Sequence, residues 1–332
     1  MAVAYFVGAY TPDMGGTAEG IAALGRLADG SLEPLGVAAS AASPAYLAAR
    51  DGLVFAASEG AGTVEAYRRG DGFSLDHAGS APAGGSFPCH LGVYGDTVVA
   101  SCYGDGALGV LSTDTVLSAD PVALTDTVAA WPGTGPHPAQ DGPHAHATFA
   151  LDATTVVSAD LGADLLHLHS LAGGVLTRSG SVALPAGTGP RDFLALPGGR
   201  ILLLGELSLT VLELAWLGGR LDIVDEVALH GALPGDHAAA LTVSADGRFA
   251  YAGLRGSDLI SVLSVEGGLR AVASVASGGA WPRHHVVDGD VMHVAHERSH
   301  SVASFRIREN GIPEPIAPPI RVSSPIFLLR VG

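Results

Sequence analysis

Apolar and polar residues alternate with a period of two along most of the chain, in short runs such as Tyr46 to Arg50, Leu53 to Ser58 and Thr63 to Arg68. That period sends successive side chains to opposite faces of an extended backbone, so the runs predict short β-strands with one buried face. Tight turns, Arg50-Asp51-Gly52 and Arg69-Gly70-Asp71-Gly72, separate them, and Gly and Asp tolerate the left-handed positions such turns require. Helical periodicity is sustained nowhere.

The unit also repeats. A small residue, a proline, a small or polar pair and an apolar residue occur at Ser43-Pro44-Ala45-Tyr46-Leu47 and Phe87-Pro88-Cys89-His90-Leu91. The pattern returns at Gly142-Pro143-His144, Gly189-Pro190-Arg191-Asp192-Phe193, Trp281-Pro282-Arg283-His284-His285 and Ser324-Pro325-Ile326-Phe327-Leu328. Aligning Asp246-Gly247-Arg248 with Gly198-Gly199-Arg200 places Ala238 at a copy without proline. The anchors Pro44, Pro88, Pro143, Pro190, Ala238, Pro282 and Pro325 then lie 43 to 55 residues apart. Seven such copies, each of four antiparallel strands A to D, predict an all-β fold: a seven-bladed β-propeller, one domain over residues 1–332. The seventh copy stops one strand after its anchor. Ala2 to Tyr10, Gly20 to Leu27 and Ser31 to Ala38 are expected to supply its strands B, C and D, so that N- and C-terminal strands close the ring in one blade and leave no open edge.

In that topology the short Gly-rich turns share one face, while the anchors and the B–C loops share the other, around the channel mouth. The B–C positions read Glu59, Tyr103, Asp160, Glu206, Arg255 and Glu297; the positions after the anchors read Ala45, Cys89, His144 or His146, Arg191 and Arg283.

Charge narrows the chemistry. The chain carries 33 acidic and 17 basic residues, the latter all arginine, for a net charge of −16. Without lysine there is no P-loop, Schiff-base or protein-kinase mechanism; codon bias in a GC-rich genome accounts for the absence itself. An acidic chain does not neutralise phosphate backbones, so nucleic acid is not an expected partner. Hydrophobic residues make up 48%, yet the apolar runs are too short and too broken to cross a membrane as a helix. Met1 to Tyr10 lacks a basic n-region and reads as a strand rather than a signal peptide, which makes a cytoplasmic location the default. Cys89 and Cys102 read as free thiols, and a monomer or weak homodimer is expected.

Val3-Ala4-Tyr5-Phe6-Val7-Gly8-Ala9-Tyr10-Thr11, Pro143-His144-Ala145-His146, Ser158-Ala159-Asp160-Leu161-Gly162, Gly189-Pro190-Arg191, Gly205-Glu206-Leu207-Ser208 and Ser244-Ala245-Asp246-Gly247-Arg248-Phe249 stand in order along the chain. This set resembles the seven-bladed propeller lactonase family, whose relatives include bacterial 6-phosphogluconolactonases and fungal carboxy-muconate lactonising enzymes. The resemblance implies a cofactor-independent hydrolase acting on a small anionic sugar-acid lactone, with 6-phosphogluconolactone the leading candidate. A muconate-type lactone cycloisomerase and a non-catalytic propeller binding a ligand or protein on the same face are the alternatives. Aromatic residues are only 6% of the chain, with Tyr46 and Tyr103 the visible candidates on that face, which disfavours a binding platform.

Opening a lactone needs a base for water and positive donors where charge develops on the carbonyl oxygen; an anionic substrate adds a clamp. His146 and Glu206 are candidate bases, and Arg191, Arg255 and Arg283 candidate clamps, arginine's planar fork suiting carboxylates and phosphates. The muconate-lactonising relatives imply one His, two Arg and one Glu, which carry over onto His146, Arg191, Glu206 and Arg255. The stretch from His146 to Asp160 is one residue short of the family spacing, so His144 competes for the histidine position. Arg283, His144, Asp160, Glu59, Tyr103 and His90 complete the expected substrate-binding surface.

Plainer readings stand beside these. A single arginine at a blade top is usually solvated rim; Arg191→Ala or Arg255→Ala is expected to remove most activity on a charged lactone while leaving stability within about 1 kcal/mol. His167, His169, His230, His293 and His300 read as structural or surface residues. No metal site is expected, because His144/His146 and His284/His285 lack further ligands at metal-binding spacing. Asp160 and Glu59 could hold a channel cation as in calcium-dependent propeller lactonases, but the chain follows the other family. Cys89, beside His90, is a possible nucleophile or simply a small half-buried residue. Trp131 to Gly142 is a Pro/Gly-rich surplus before the His-Ala-His motif, either a lid over the mouth or an ordinary surface loop.

Overall fold

In the computed structural model, which describes residues 3–118 and 126–331, seven antiparallel sheets are arranged by sequence as blades. Blade 1 begins with strand A at Pro44–Arg50, followed by Leu53–Ser58, Thr63–Arg69 and Leu75–Pro82. Blades 2 to 6 begin at Pro88–Tyr94, Ala145–Ala150, Pro190–Ala195, His237–Val243 and Pro282–Asp288. Blade 7 joins Pro325–Arg330 to Val3–Ala9, Gly20–Arg26 and Leu32–Ser40, in that order across the sheet. The expected ring closure by both chain ends is therefore observed; Ala2 of the expected strand B lies outside the described residues. Tyr5 donates to Asp288 at 3.2 Å, Arg330 lies 2.8 Å from the same carboxylate and Arg26 pairs with it, tying blade 7 to blade 6.

Alternation produces the core directly. The buried residues form seven principal clusters, one between each pair of neighbouring blades. Leu203 and Leu212 of blade 4, for example, pack with Val157 and Leu166 of blade 3. Each fully buried Leu or Val contributes about 1.5–3 kcal/mol, so every interface between neighbouring blades adds to stability.

Two departures from strict repetition occur. In blade 2 a short helix, Thr113–Leu117, follows strand C, with the Ser112 hydroxyl accepting from the Thr115 amide at 2.9 Å. Five residues are too few to register as a period, and they show that the long interval between anchors is divided between this connection and the loop over 129–144. In blade 6 the outer strand is split into Pro313–Pro315 and Ile320–Arg321. Prolines at 315, 318 and 319 remove the amides a continuous edge strand would offer.

The feature that builds the site is a bulge at the start of every strand A. Register shifts fall between Pro44 and Tyr46, Pro88 and His90, Ala145 and Ala147, Pro190 and Asp192, Ala239 and Leu241, Pro282 and His284, and opposite Gly8/Ala9 in blade 7. A bulge leaves one residue unpaired and re-aims its side chain. The seven bulged residues are Ala45, Cys89, His146, Arg191, Ala240, Arg283 and Ile326, and all seven line one central cavity. Two anchors are corrected by this register: the equivalent of the prolines is Ala145 in blade 3 rather than Pro143, and Ala239 in blade 5 rather than Ala238.

Candidate active site

The bulged ring bounds a cavity of about 210 Å³ on the propeller axis. Beneath it, Tyr46, His90, Asp192, Phe193, Leu241, His284 and Phe327 form the remaining walls. His146, Arg191 and Arg283 are the only ionisable side chains of the bulged ring besides the Cys89 thiol.

A second repeated contact places the B–C residues above this ring. The amides of Glu59, Tyr103, Leu161, Glu206, Glu297 and Tyr10 donate to the carbonyls of Ser43, Phe87, His144, Gly189, Trp281 and Ser324, respectively. The equivalent position in blade 3 is thus Leu161, not Asp160. Counted to Leu161, the interval from His146 equals that from Arg191 to Glu206, so the apparent one-residue deficit was a register error, and His146 is the histidine that enters the cavity. Asp160 is buried inside its blade, where it accepts from the amides of His144, Gly162 and Ala163 at 2.8 to 3.2 Å. It shapes a turn and does not line the cavity, contrary to the expected binding role. His144 is likewise displaced: its ring stacks on Tyr103 with centroids 4.4 Å apart, and its Nδ1 lies 2.6 Å from the Tyr103 carbonyl.

Glu206 is the hub of one side. Arg191 Nη1 pairs with its Oε2, Arg255 Nη2 lies 2.7 Å from its Oε1, and His237 Nδ1 donates to the same Oε1 at 3.0 Å. Burial alone would raise the Glu206 pKa, but Arg255 and Arg191, with the His237 hydrogen bond, hold the carboxyl well below the usual range. Arg255 is only 5% exposed and also donates to the carbonyls of His237 and Ala238 at 3.3 Å. It is therefore a buried partner of Glu206, not a rim arginine; burial lowers its pKa to about 10. The expectation that its removal would be nearly neutral for stability does not fit this placement, because it would take away one of the two guanidiniums that balance a buried carboxylate.

Opposite, Arg283 Nη1 lies 3.2 Å from Glu297 Oε2 and its Nη2 donates to Tyr10 Oη at 2.6 Å, while Tyr10 donates to Glu59 at 2.8 Å. Burial raises the Glu59 pKa; the Arg283 charge and the Tyr10 hydrogen bond offset only part of the desolvation. Tyr10 was missed in the sequence although it occupies the seventh B–C position; a register drawn through the split blade would have found it. His237 and Asp192 were missed because neither falls on the two positions the repeat highlights. Asp192 lines the cavity and accepts from the Leu241 amide at 2.9 Å, and burial raises its pKa.

His146 faces the cavity, and burial, reinforced by the nearby Arg191 charge, holds its pKa well below the ordinary imidazole value. It is neutral at pH 7. His90 also lines the cavity, packs on Tyr46 at 4.4 Å and is lowered to about 3 by burial. The Cys89 Sγ points at the carbonyls of Ala145 and His146, 3.7 and 3.6 Å away, and burial pushes its thiol up, so it is not an activated nucleophile. Glu59 and Tyr103, above the bulged ring, are not among the residues that line the cavity.

Comparison with known proteins matches this arrangement to a family model described as a lactonase with a 7-bladed β-propeller, over residues 4–329. The chain belongs to the seven-bladed β-propeller lactonases. Within this lactonase family it is 32% identical to the 6-phosphogluconolactonase of Bacillus subtilis over 274 residues, which cover 76% of each protein. A solved periplasmic gluconolactonase of Pseudomonas aeruginosa superposes with a TM-score of 0.87 at 26% identity over 99% of both chains. A protein of Lactobacillus plantarum shares the fold, with a TM-score of 0.89 at 23% identity over the full length of both. Among the described residues no helix of this lactonase-family chain is long and apolar enough to cross a membrane.

Proposed function

We propose that the protein hydrolyses a sugar-acid lactone in the central cavity, with 6-phosphogluconolactone as its substrate. The observation that carries this reading is the pairing, on one ring of bulges, of a neutral histidine with two arginines. His146 accepts the proton of the attacking water, a task for which an uncharged imidazole is suited at neutral pH. Arg191 and Arg283 offer N–H groups where the lactone carbonyl oxygen gains charge as the tetrahedral intermediate forms. The proton then passes from His146 to the ring oxygen as the C–O bond breaks. Glu206 serves as a positioning carboxylate, since a group flanked by two arginines is too weakly basic to take the proton from water. Arg255 holds Glu206, and Tyr10 and Glu297 orient Arg283.

The names of the Bacillus and Pseudomonas relatives support the reaction class. The reading includes a cytoplasmic protein, in keeping with two unpaired thiols, acting as a monomer or weak homodimer. A pH-stat assay with 6-phosphogluconolactone, gluconolactone and muconolactone tests it. Turnover of a sugar lactone with one acid equivalent released supports it; turnover of muconolactone alone, its ring opened by loss of a carbon-bound proton to the unsaturated dicarboxylate, or no turnover of any of the three, overturns it.

A further inference from the structure

Three of the four arginines around the mouth are committed to carboxylates: Arg191 and Arg255 to Glu206, and Arg283 to Glu297. The fourth, Arg298, follows Glu297 in the B–C loop of blade 6 and is exposed, yet among the described residues it forms no ion pair. Its guanidinium instead sits 3.4 Å from the centroid of the Trp281 ring. Trp281 immediately precedes the blade 6 anchor, with a left-handed φ of 66° that is costly for a bulky residue. The Arg255 guanidinium also lies against this indole, 5.6 Å from its centroid. A guanidinium seated on an aromatic face keeps its N–H edges free in its own plane, pre-set for a bidentate oxyanion.

The neighbours extend the same surface. The His237 ring lies 6.5 Å from Trp281; its Nδ1 is given to Glu206, which leaves Nε2 on the far side of the ring. His137 packs edge-on against His237 at 6.2 Å. His137 belongs to the Pro/Gly-rich loop, which is fastened rather than loose. The buried Gln140 donates to the Leu161 carbonyl at 2.8 Å and to Asp164 at 2.7 Å, and its own Oε1 accepts from the His137 amide at 3.1 Å. Asp164 also accepts from the amide of Gly189, two residues before Arg191, at 2.7 Å. One latch therefore fixes both the loop bearing His137 and the strand start bearing Arg191.

We propose that Arg298 on Trp281, with His237 and His137, forms a second anion subsite at the channel mouth that binds the phosphate-monoester end of the substrate. This rests on the lactone-hydrolase reading for its choice of ligand and deepens it: the cavity arginines serve the reacting carbonyl, and the mouth arginine serves the remote phosphate. The planar Arg298 guanidinium presents several N–H groups at fixed angles, which suits the several acceptor oxygens of a phosphate better than a single hydroxyl.

The test is calorimetric binding of 6-phosphogluconate and of gluconate, which needs no turnover. The wild-type protein is expected to bind 6-phosphogluconate more tightly, Arg298→Ala to lose about tenfold of that affinity, and Arg298→Lys, which keeps charge but not the flat stack, to fall between. The preference for the phosphorylated ligand should shrink in the same order. Equal binding of the two ligands by the wild type, binding of neither, or an unchanged preference in Arg298→Ala overturns the subsite. A phosphate preference that depends on Arg298 in a protein that hydrolyses no lactone would instead uphold the subsite and refute the hydrolase reading.

Discussion

Glu206 and Glu59 occupy equivalent B–C positions in blades 4 and 1, receive the same backbone contact and are similarly buried, at 8% and 7% exposure, yet they titrate in opposite directions. Glu206 has two guanidiniums and an imidazole N–H on its oxygens, and its pKa is held well down. Glu59 has a tyrosine hydroxyl and no cation in direct contact among the described residues, Arg283 being paired with Glu297, so burial prevails and its pKa rises. The fold supplies position alone; the number of cations within reach decides whether ionisation of a carboxylate at that position is favoured or opposed. The channel mouth is thus divided into a charged half around Glu206 and a weakly charged half around Tyr10 and Glu59.

The strongest way to break the charged half is at its reactive member. His146→Ala is expected to reduce kcat with a sugar lactone by about 10²–10⁴-fold, the usual contribution of a general base, with little change in melting temperature because the side chain faces a cavity. Since His146 is depressed below the ordinary imidazole value, the wild-type rate should stay level as pH falls through about 6.5 and decline only in more acid solution. A kinetic midpoint at or above 6.5 would remove His146 as the base. Next in size, Glu206→Gln should cost about 3–5 kcal/mol of stability by leaving Arg191 and Arg255 without their counter-charge, and should lower activity as Arg191 loses its orientation. Thermal melts and initial rates on one preparation would show both losses together; intact stability would mean that the ion pairs contribute nothing net.

Much of this was legible in the chain. The repeat of small residue, proline and apolar residue located the blades, the closure and five of the seven bulged residues, counting His146 through the His-Ala-His motif. Legibility failed where the motif lacks proline at the bulge itself. In blade 3, Pro143 precedes the bulge by three residues rather than one, which shifted the B–C position onto Asp160. In blade 5, Ala240 takes the left-handed φ of 57° itself, and the anchor falls one residue later than Ala238. Partnership was beyond the sequence for a different reason. His237 meets Glu206 across 31 positions, between consecutive blades, and Arg283 meets Tyr10 across 273, through ring closure; neither contact follows from a local pattern.

The histidines extend the comparison from the mouth to the blade interiors. His169, His285, His293 and His296 are buried, each bonded through one ring nitrogen to Ser158, the Tyr251 carbonyl, Ser304 and Ser277, while the other nitrogen has no partner. Burial lowers them to about 3 or 4. Because the unfolded chain takes up these protons near 6.5 and the folded chain does not, stability is full above that pH and falls progressively as pH drops from about 6.5 toward 3–4. Unfolding free energies from denaturant titrations at pH 7.5 and 5 should therefore differ by roughly several kcal/mol, and His293→Gln, which cannot be protonated, should narrow the gap. A flat stability between those two values would show that the buried histidines are charged or solvent-accessible.

The smallest effect is expected in the weakly charged half. For Glu59 the folded pKa lies above the unfolded value, so ionisation opposes folding: the cost is absent in acid and grows as pH rises past about 4.5, levelling off above the raised folded value. Glu59→Gln keeps an acceptor for the Tyr10 hydroxyl and removes the ionisable proton. It is expected to change stability by less than about 1 kcal/mol, as a slight gain at pH 8 that shrinks by pH 5. Paired melts at those two pH values test this against Glu206→Gln, whose sign should be opposite. If Glu59→Gln were as damaging as Glu206→Gln, the two carboxylates would share one ionised state, and the division of the mouth into two halves would be wrong.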